Sequence, residues 1–356
     1  MGRIKVAIAG IGNCASALIQ GIEYYKEVNE NSGFVPGILN NTIGGYRIRD
    51  IEFVAAFDVN ENKINKDLCE AIFTTPNCSR RFCDVPNLGI PVDRGPILDS
   101  IGKKTEKIIR IDRSKKSSDI AAILKSQNAE ILINFLPSGS KKATEFYAQQ
   151  AIYANCGFIN AIPDSIATNL KWQRIFKKAG LPLAGDDLKS QLGGTILHRA
   201  LIDLFIKRGV KLEETHQINI GGNMDFNNLS DSLRSQSKME CKNDSIFSLI
   251  PYPASITIAP PYFSGLSGDN KICYIQITGK NFGQCPVSID VKLSVDDSPN
   301  AGGVIVDVIR GMKIARDLGL SGVISEICSY YFKFPPKKCP DDEGYQRAKK
   351  FFGGLL

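Results

Sequence analysis

Four lysines carry the chemistry this sequence could perform. Lys238 and Lys242 stand four apart in Arg234-Ser235-Gln236-Ser237-Lys238-Met239-Glu240-Cys241-Lys242. On a helix they share one face, and two ammonium groups held together lower each other's pKa. Lys271 follows a Gly-Asp-Asn turn, and Lys333 lies in Tyr330-Tyr331-Phe332-Lys333-Phe334-Pro335. Surface lysines at a spacing of four are common, so the pair alone decides nothing. An ammonium enclosed by aromatics and prolines needs a reason to be there. A site that stabilises an enolate oxygen and transfers protons would supply one.

The elements that must position such a site begin at the N-terminus. Val6-Ala7-Ile8-Ala9 reads as a buried strand, and Gly10-Ile11-Gly12-Asn13-Cys14-Ala15 as a tight turn into a helix. The turn fits G-x-G-x-x-A: Gly10 for the sharp turn, Gly12 for close approach of a pyrophosphate, Ala15 for helix–strand packing. Free N–H groups at the helix start suit an anion. Such turns also occur with no ligand, so the motif points to a dinucleotide without proving one. The first acid placed to meet a ribose is Asp58, after Phe53-Val54-Ala55-Ala56-Phe57. It comes late, because a helix over 15–26 and a Gly/Asn-rich insertion over 30–45 intervene. The insertion is too polar for core and reads as a loop over the cofactor.

The chain has 356 residues, enough for two domains. Net charge is +7, but the 44 basic residues are spread among 37 acids, so nucleic acid is not indicated. A modest positive balance equally suits small anionic substrates. An apolar run of membrane length is missing, as is a secretory signal. The ten cysteines form no CxxC pair, and they read as reduced thiols of a cytoplasmic protein.

Residues 60–73 read as a helix with Ile64, Leu68 and Ile72 on one face and Asp67 as a solvated acid. Arg94-Gly95-Pro96-Ile97-Leu98-Asp99 reads as a loop entering a helix, and 118–125 as another helix. Strands follow at 130–135, 157–161 and 182–184, separated by helices at 141–156 and 170–179. This β-α alternation predicts a doubly wound parallel sheet. Residues 185–195 hold Asp186, Asp187, Ser190, Gln191, Gly194 and Thr195 before a helix over 196–207, a ready phosphate cradle. The isolated His198 and His216 read as structural. Beyond Lys211 the pattern becomes that of a half-exposed sheet, at 216–220, 255–259, 272–278 and 287–295. A helix over 301–318, capped by Asp297-Ser298-Pro299-Asn300, is expected to return to the first domain. The first domain is thus 1–200 completed by 298–356, with 201–297 inserted; 349–356 reads as a docked tail.

These stretches together resemble the inositol-phosphate synthases of the archaeal and bacterial type, from Arg3 to Asp342. The matches are the glycine turn, 53–59, Arg94-Gly95-Pro96, Phe158-Ile159-Asn160-Ala161, 185–191, Gly221-Gly222-Asn223-Met224-Asp225-Phe226 and Asp297-Ser298-Pro299-Asn300. Lys238 and Lys242 match the family's Ser-Lys-x-x-Ser-Lys run, and Lys333 its Tyr-x-x-Lys-x-Pro pattern. Cys241 replaces the usual Ser, an extra Gly stands in Gln191-Leu192-Gly193-Gly194, and 243–261 has little family signal.

The resemblance implies a Rossmann NAD-binding domain and an inserted α+β domain for catalysis and tetramerisation. It implies conversion of D-glucose 6-phosphate to 1L-myo-inositol 1-phosphate, first step of inositol and inositol phospholipid synthesis. NAD would oxidise C5, C6 would lose a proton, the enolate would attack C1, and the retained NADH would reduce C5. Lys271 and Lys333 would polarise oxygens and shuttle protons; Lys238 and Lys242 would stabilise the enolate and hold phosphate or hydroxyls. Gly10, Gly12, Asn13, Asp58, Asp67, Gln127, Tyr147, Ser190, Asp225 and Lys238 would meet the cofactor. Ser190, Gln191, Gly194 and Thr195 would cradle the phosphate. A divalent or monovalent cation could be held by Asp186, Asp187 and Asp297, though carboxylates near lysines are as easily ion-paired. Two other readings stay open at this point: a dehydrogenase of another polyol phosphate, and an NAD-binding regulator.

Overall fold

Strand β1 (Ile4–Ala9) is the centre of the first sheet in the computed structural model, which describes residues 2–111 and 113–353. Its side chains alternate between two layers. Ile4, Val6 and Ile8 join one apolar core, Ala7 and Ala9 the other. A small hairpin of β2 (Thr42–Ile43) and β3 (Tyr46–Arg47) follows the first helix, Asn13–Tyr24. The sheet resumes with β4 (Ile51–Asp58), β5 (Val92–Arg94), β6 (Ile131–Asn134), β7 (Gly157–Asn160) and β8 (Pro182–Ala184).

A second sheet then forms around β9 (Lys211–Gly221), with β10 (Ser255–Ile258), β11 (Tyr262–Phe263), β12 (Asn270–Lys280) and β13 (Pro286–Asp296). Its long strands β9, β12 and β13 are antiparallel neighbours. The chain returns through helix Asp297–Asp317, and β14 (Gly322–Val323) pairs parallel with β8 in the first sheet. The order is β14-β8-β7-β6-β1-β4-β5, with every pair parallel. Chain order reverses at β1, so a crevice opens there beyond the carboxyl ends of the strands, where open α/β sheets bind ligands.

Helix Asp297–Asp317 packs Val304, Ile305, Val308, Ile309 and Met312 onto one face of that sheet. Helices Lys141–Tyr153 and Leu170–Lys178 cover the other with Tyr147, Ala151, Trp172 and Phe176. Among the described residues no helix is long and apolar enough to cross a membrane.

Several local expectations need correction. The helix expected over 60–73 shrinks to Leu68–Ala71, because Asn65 N and Lys66 O pair with Val92 instead of continuing a turn. Asp67 is therefore its N-cap rather than a solvated mid-helix acid. Residues 30–45 do not cover the glycine turn. They pack on helix Asp297–Asp317, where buried Arg310 donates to Asn40 O at 2.7 Å and Asn41 O at 3.0 Å. Ile38 and Ile43 of that insertion are core residues. Among the described residues Asp99 leads only into a 3-10 turn, Thr105–Lys107, with no α-helix before Ile120–Ser126; its carboxylate accepts from Lys142 N and Ala143 N, capping Lys141–Tyr153 from outside. Asp297-Ser298-Pro299-Asn300 lies inside its helix, whose N-cap is Asp296. The expected tail is part of helix Asp341–Gly353, and its end at 354–356 lies outside the described residues.

Candidate active site

The glycine turn opens the crevice. Gly10 has φ of +91°, and a Cβ there would sit 2.6 Å from Phe135 O, so the position takes glycine on both counts. Gly12 differs: a Cβ there would meet nothing within 4 Å and would project into open space beside the backbone. The following helix start has no side-chain cap, which leaves its N–H groups for an anion. Asp58 at the end of β4 accepts from Ile11 N at 2.9 Å, Val59 N at 2.7 Å and Asn60 N at 2.9 Å. One carboxylate thereby fixes two loops of the crevice. Asn13 accepts from Cys78 N at 2.8 Å, which draws the 76–79 segment over the turn. Tyr147 is buried and lines the same crevice.

Lys63 and Asn77, which the sequence did not single out, complete this half. Lys63 is buried and donates to Ile11 O at 2.6 Å and to Asn77 Oδ1 at 2.8 Å. Burial pulls its pKa down, with Asp58 opposing. A lysine in a polar turn gives no sequence signal of burial.

The four lysines come together at the other end of the crevice. Helix Ser232–Phe247 carries Lys238 and Lys242, β12 carries Lys271 at its start, and Lys333 follows helix Ser325–Tyr331. All four line the cleft that also holds Gly10 and Gly12. Lys333 Nζ lies 2.9 Å from Asp187 Oδ1, and Lys271 Nζ 2.9 Å from Asp297 Oδ1. Lys238 sits 3.2 Å from Asp225 and 3.8 Å from Asp187. Burial opposes the charge on Lys238, but Asp225, Asp187 and Asp297 outweigh it and raise its pKa. Lys271 is raised in the same way by Asp297. For Lys333 burial wins over Asp187, and its pKa falls. Lys242 has no carboxylate within ion-pairing distance among the described residues; burial, then Lys271, Lys238 and Lys333, pull it down to about 7. The cluster is thus an uneven set: two firmly charged ammonium groups, one weakened, and one amine poised near neutrality.

Ser190, Gly194 and Thr195 line the cleft beside these lysines. Helix Gly194–Lys207 starts there with Gly193 as an N-cap lacking a side chain. Across from it, β9 turns Gln217 and Asn219 inward, both buried and both lining the cleft. Asn219 Nδ2 is buried with no partner among the described residues, a donor aimed where a ligand oxygen would satisfy it. His198 holds Gln217 Oε1 at 3.0 Å and Thr215 Oγ1 at 2.7 Å, a supporting role as its isolation in the sequence suggested. The inward run Thr215-x-Gln217-x-Asn219 between Leu212 and Gly221 was the available signal: polar residues at period 2 on a strand face that should be apolar.

Four nominated residues stand elsewhere. Asp67 spends its carboxylate on Cys69 N, Leu88 N and Ile90 N. Gln127 is the exposed C-cap of helix Ile120–Ser126. Gln191 turns away and donates to Gly37 O at 2.9 Å. Asp186 is buried behind the cleft, where it accepts from Asn160 Nδ2, Ile166 N, Ala167 N, Thr168 N and Thr168 Oγ1. Its neighbour Asp187, in the left-handed region at φ +57°, points the other way, at the lysines.

A dinucleotide suits this crevice. Gly12 leaves room for a pyrophosphate against the backbone, the uncapped helix start offers N–H donors, and Asp58 and Tyr147 flank them. The cation candidates suit a metal poorly. Asp186 is saturated by donors, and Asp187 and Asp297 each face an ammonium. Among the described residues no three His, Cys, Asp or Glu side chains gather as a metal set.

A doubly wound sheet with a glycine turn at its switch point, and lysines converging in the same cleft, defines a dinucleotide-dependent enzyme for an anionic substrate. The family profile of myo-inositol-1-phosphate synthase matches residues 193–298. Inositol-3-phosphate synthase of Corynebacterium glutamicum is 43% identical over 98% of this chain and 98% of its own. That of Mycolicibacterium smegmatis is 41% identical over 99% of each. The crystal structure of Ari2 superposes with a TM-score of 0.80 at 32% identity, covering 99% of both chains. The chain belongs to the inositol-3-phosphate synthase family. Use of NAD follows from that family and from the Rossmann-type fold.

Proposed function

We propose that this cleft cyclises D-glucose 6-phosphate to 1L-myo-inositol 1-phosphate, the family's reaction and the entry to inositol synthesis. The observation that carries the reading is the convergence of Lys238, Lys242, Lys271 and Lys333 beside the glycine turn. Bound NAD supplies a hydride acceptor and later a donor at C5. Gly10, Gly12, Asn13, Asp58, Tyr147 and the region of Asp225 would hold it. Ser190, Gly194 and Thr195 would take the phosphate at a helix start. Lys238 and Lys271, kept charged by carboxylates, suit oxygens that gain negative charge at C5 and C1. Lys242, near neutrality, suits removal of the C6 proton, and Lys333, lining the same cleft with a lowered pKa, suits the proton's return. The pairing of Asp187 and Asp297 with lysines favours cationic side chains over a bound cation in this role.

The test is incubation of purified protein with glucose 6-phosphate and NAD. Inositol phosphate without net NADH is expected. Steady growth of NADH absorbance would instead mean a dehydrogenase, and bound NAD with inert substrate a regulator. Lys333→Ala is expected to abolish turnover while NAD stays bound.

The same reading makes the enzyme a cytoplasmic homotetramer. All ten cysteines are free, which suits a reducing compartment. The outer face of the second sheet exposes Ile218 and Tyr274, a surface for subunit contact. Sedimentation as a monomer at micromolar concentration would remove the assembly from the proposal.

A further inference from the structure

One acid outside the cleft ties its separate parts together. Asp341 is the first residue of helix Asp341–Gly353. Its Oδ1 accepts from Lys189 Nζ at 2.7 Å, and its Oδ2 from Arg199 Nε at 2.5 Å. Lys189 and Arg199 are 5% and 4% exposed. Lys189 precedes Ser190 in the loop that carries Asp187 and the phosphate cradle, and its backbone N–H donates to Tyr331 O at 2.8 Å. Arg199 belongs to helix Gly194–Lys207, whose first turn forms the rest of that cradle.

The guanidinium reaches further. Its Nη1 donates to Ser245 O and, at 3.2 Å, to Ser248 Oγ; its Nη2 donates to Cys339 O at 3.0 Å. Ser245 lies one turn beyond Lys242 on helix Ser232–Phe247. The carboxylate therefore spans two arms. One runs through Lys189 to the loop that holds phosphate. The other runs through Arg199 to the helix that holds the lysine pair. Both arms are charge-assisted and enclosed, conditions under which such bonds are strong and a lost partner is costly.

We propose that Asp341 is a positioning residue that sets the phosphate loop and the lysine helix in register. It does not line the cleft itself, whereas its partner Lys189 does. The proposal rests on the synthase reading above, for which wild-type turnover of glucose 6-phosphate is the control. Asp341→Asn removes the charge and keeps the shape. With NAD content and far-ultraviolet circular dichroism unchanged, the affinity for inorganic phosphate, measured by calorimetry on the NAD-loaded protein, is expected to fall about tenfold. KM for glucose 6-phosphate should rise in step, and Asp341→Glu should recover part of both.

The freed Lys189 gives a contrary outcome. Phosphate affinity unchanged or tightened in a folded D341N protein overturns the proposal, since the acid would then be only a counter-charge. Loss of NAD in parallel with phosphate overturns it too, because general disorder would explain both. Arg199→Lys is the second variant, and decides if D341N does not fold. It keeps both charges and removes the arm to Ser245, so kcat should fall about tenfold with phosphate affinity retained. An R199K protein with wild-type kcat would end the proposal.

Discussion

Lys238 and Lys242 stand one turn apart on one helix, yet among the described residues only Lys238 meets a carboxylate, Asp225 at 3.2 Å. Equal residues thus acquire opposite acidities. In the unfolded chain a lysine keeps its proton to about pH 10.4; in the fold Lys242 releases it at about 7. Between those values the unfolded chain binds the extra proton, so stability rises with pH across the window and the full penalty applies below it. Lys242→Met should therefore melt several degrees above the wild type at about pH 6, and the gain should shrink toward about pH 10. Calorimetric melting across that range checks the sign. Turnover should be lost throughout.

Asp187 is buried between Lys333 and Lys238, with one oxygen at 2.9 and 3.8 Å from them and the other without a partner among the described residues. Burial works to raise its pKa, but Lys333 and Lys238 hold it below the usual carboxylate range. A lowered pKa contributes stability above the ordinary value, about 3.9, that is lost as pH falls through the folded one. Asp187→Asn is expected to cost about 3–5 kcal/mol between pH 5 and 7, with the difference closing in stronger acid. Turnover should drop by roughly 10²-fold or more. Urea unfolding at several pH values, with steady-state kinetics, tests both.

The two glycines of the turn should behave differently. Gly10→Ala drives a Cβ into the Phe135 carbonyl at a positive φ, so the protein should lose several kcal/mol, of order 3. Gly12→Ala meets only the crevice. It should fold with a nearly unchanged melting temperature and retain no NAD after gel filtration. A G12A protein that holds NAD would move the pyrophosphate elsewhere.

Gly194 faces the opposite constraint. A Cβ there would lie 2.6 Å from Cys273 Sγ and 2.9 Å from Gln217 Nε2. Gly194→Ala should push β9 from the phosphate cradle, with KM for glucose 6-phosphate rising about tenfold and NAD content unchanged. Kinetics with cofactor quantification on the same preparation reads both.

Some of this was legible and some was not, for physical reasons. The β1 strand and its turn were legible because apolar period and glycine spacing both report local backbone. The lysines were legible as types at motif positions, but their acidities were not. Those depend on which carboxylates arrive from 187, 225 and 297. Asp186 and Asp187 are adjacent and identical, and only the backbone decides that one caps a buried loop while the other faces the cleft. The helix over 60–73 failed because a distant strand residue, Val92, competed for the same backbone groups. Gln217 and Asn219 were overlooked because an alternating strand was read for its exposed face alone.

The chain's order has a cost during synthesis. Strands β1 to β8 leave the ribosome long before helix Asp297–Asp317, yet that helix covers Ile4, Val6 and Ile8. A whole second sheet is translated in between. The nascent N-terminal half must therefore wait with an oily face open to water, closing only through contacts between the two ends of the polypeptide. Premature termination anywhere in that interval leaves a sticky fragment rather than a smaller working enzyme.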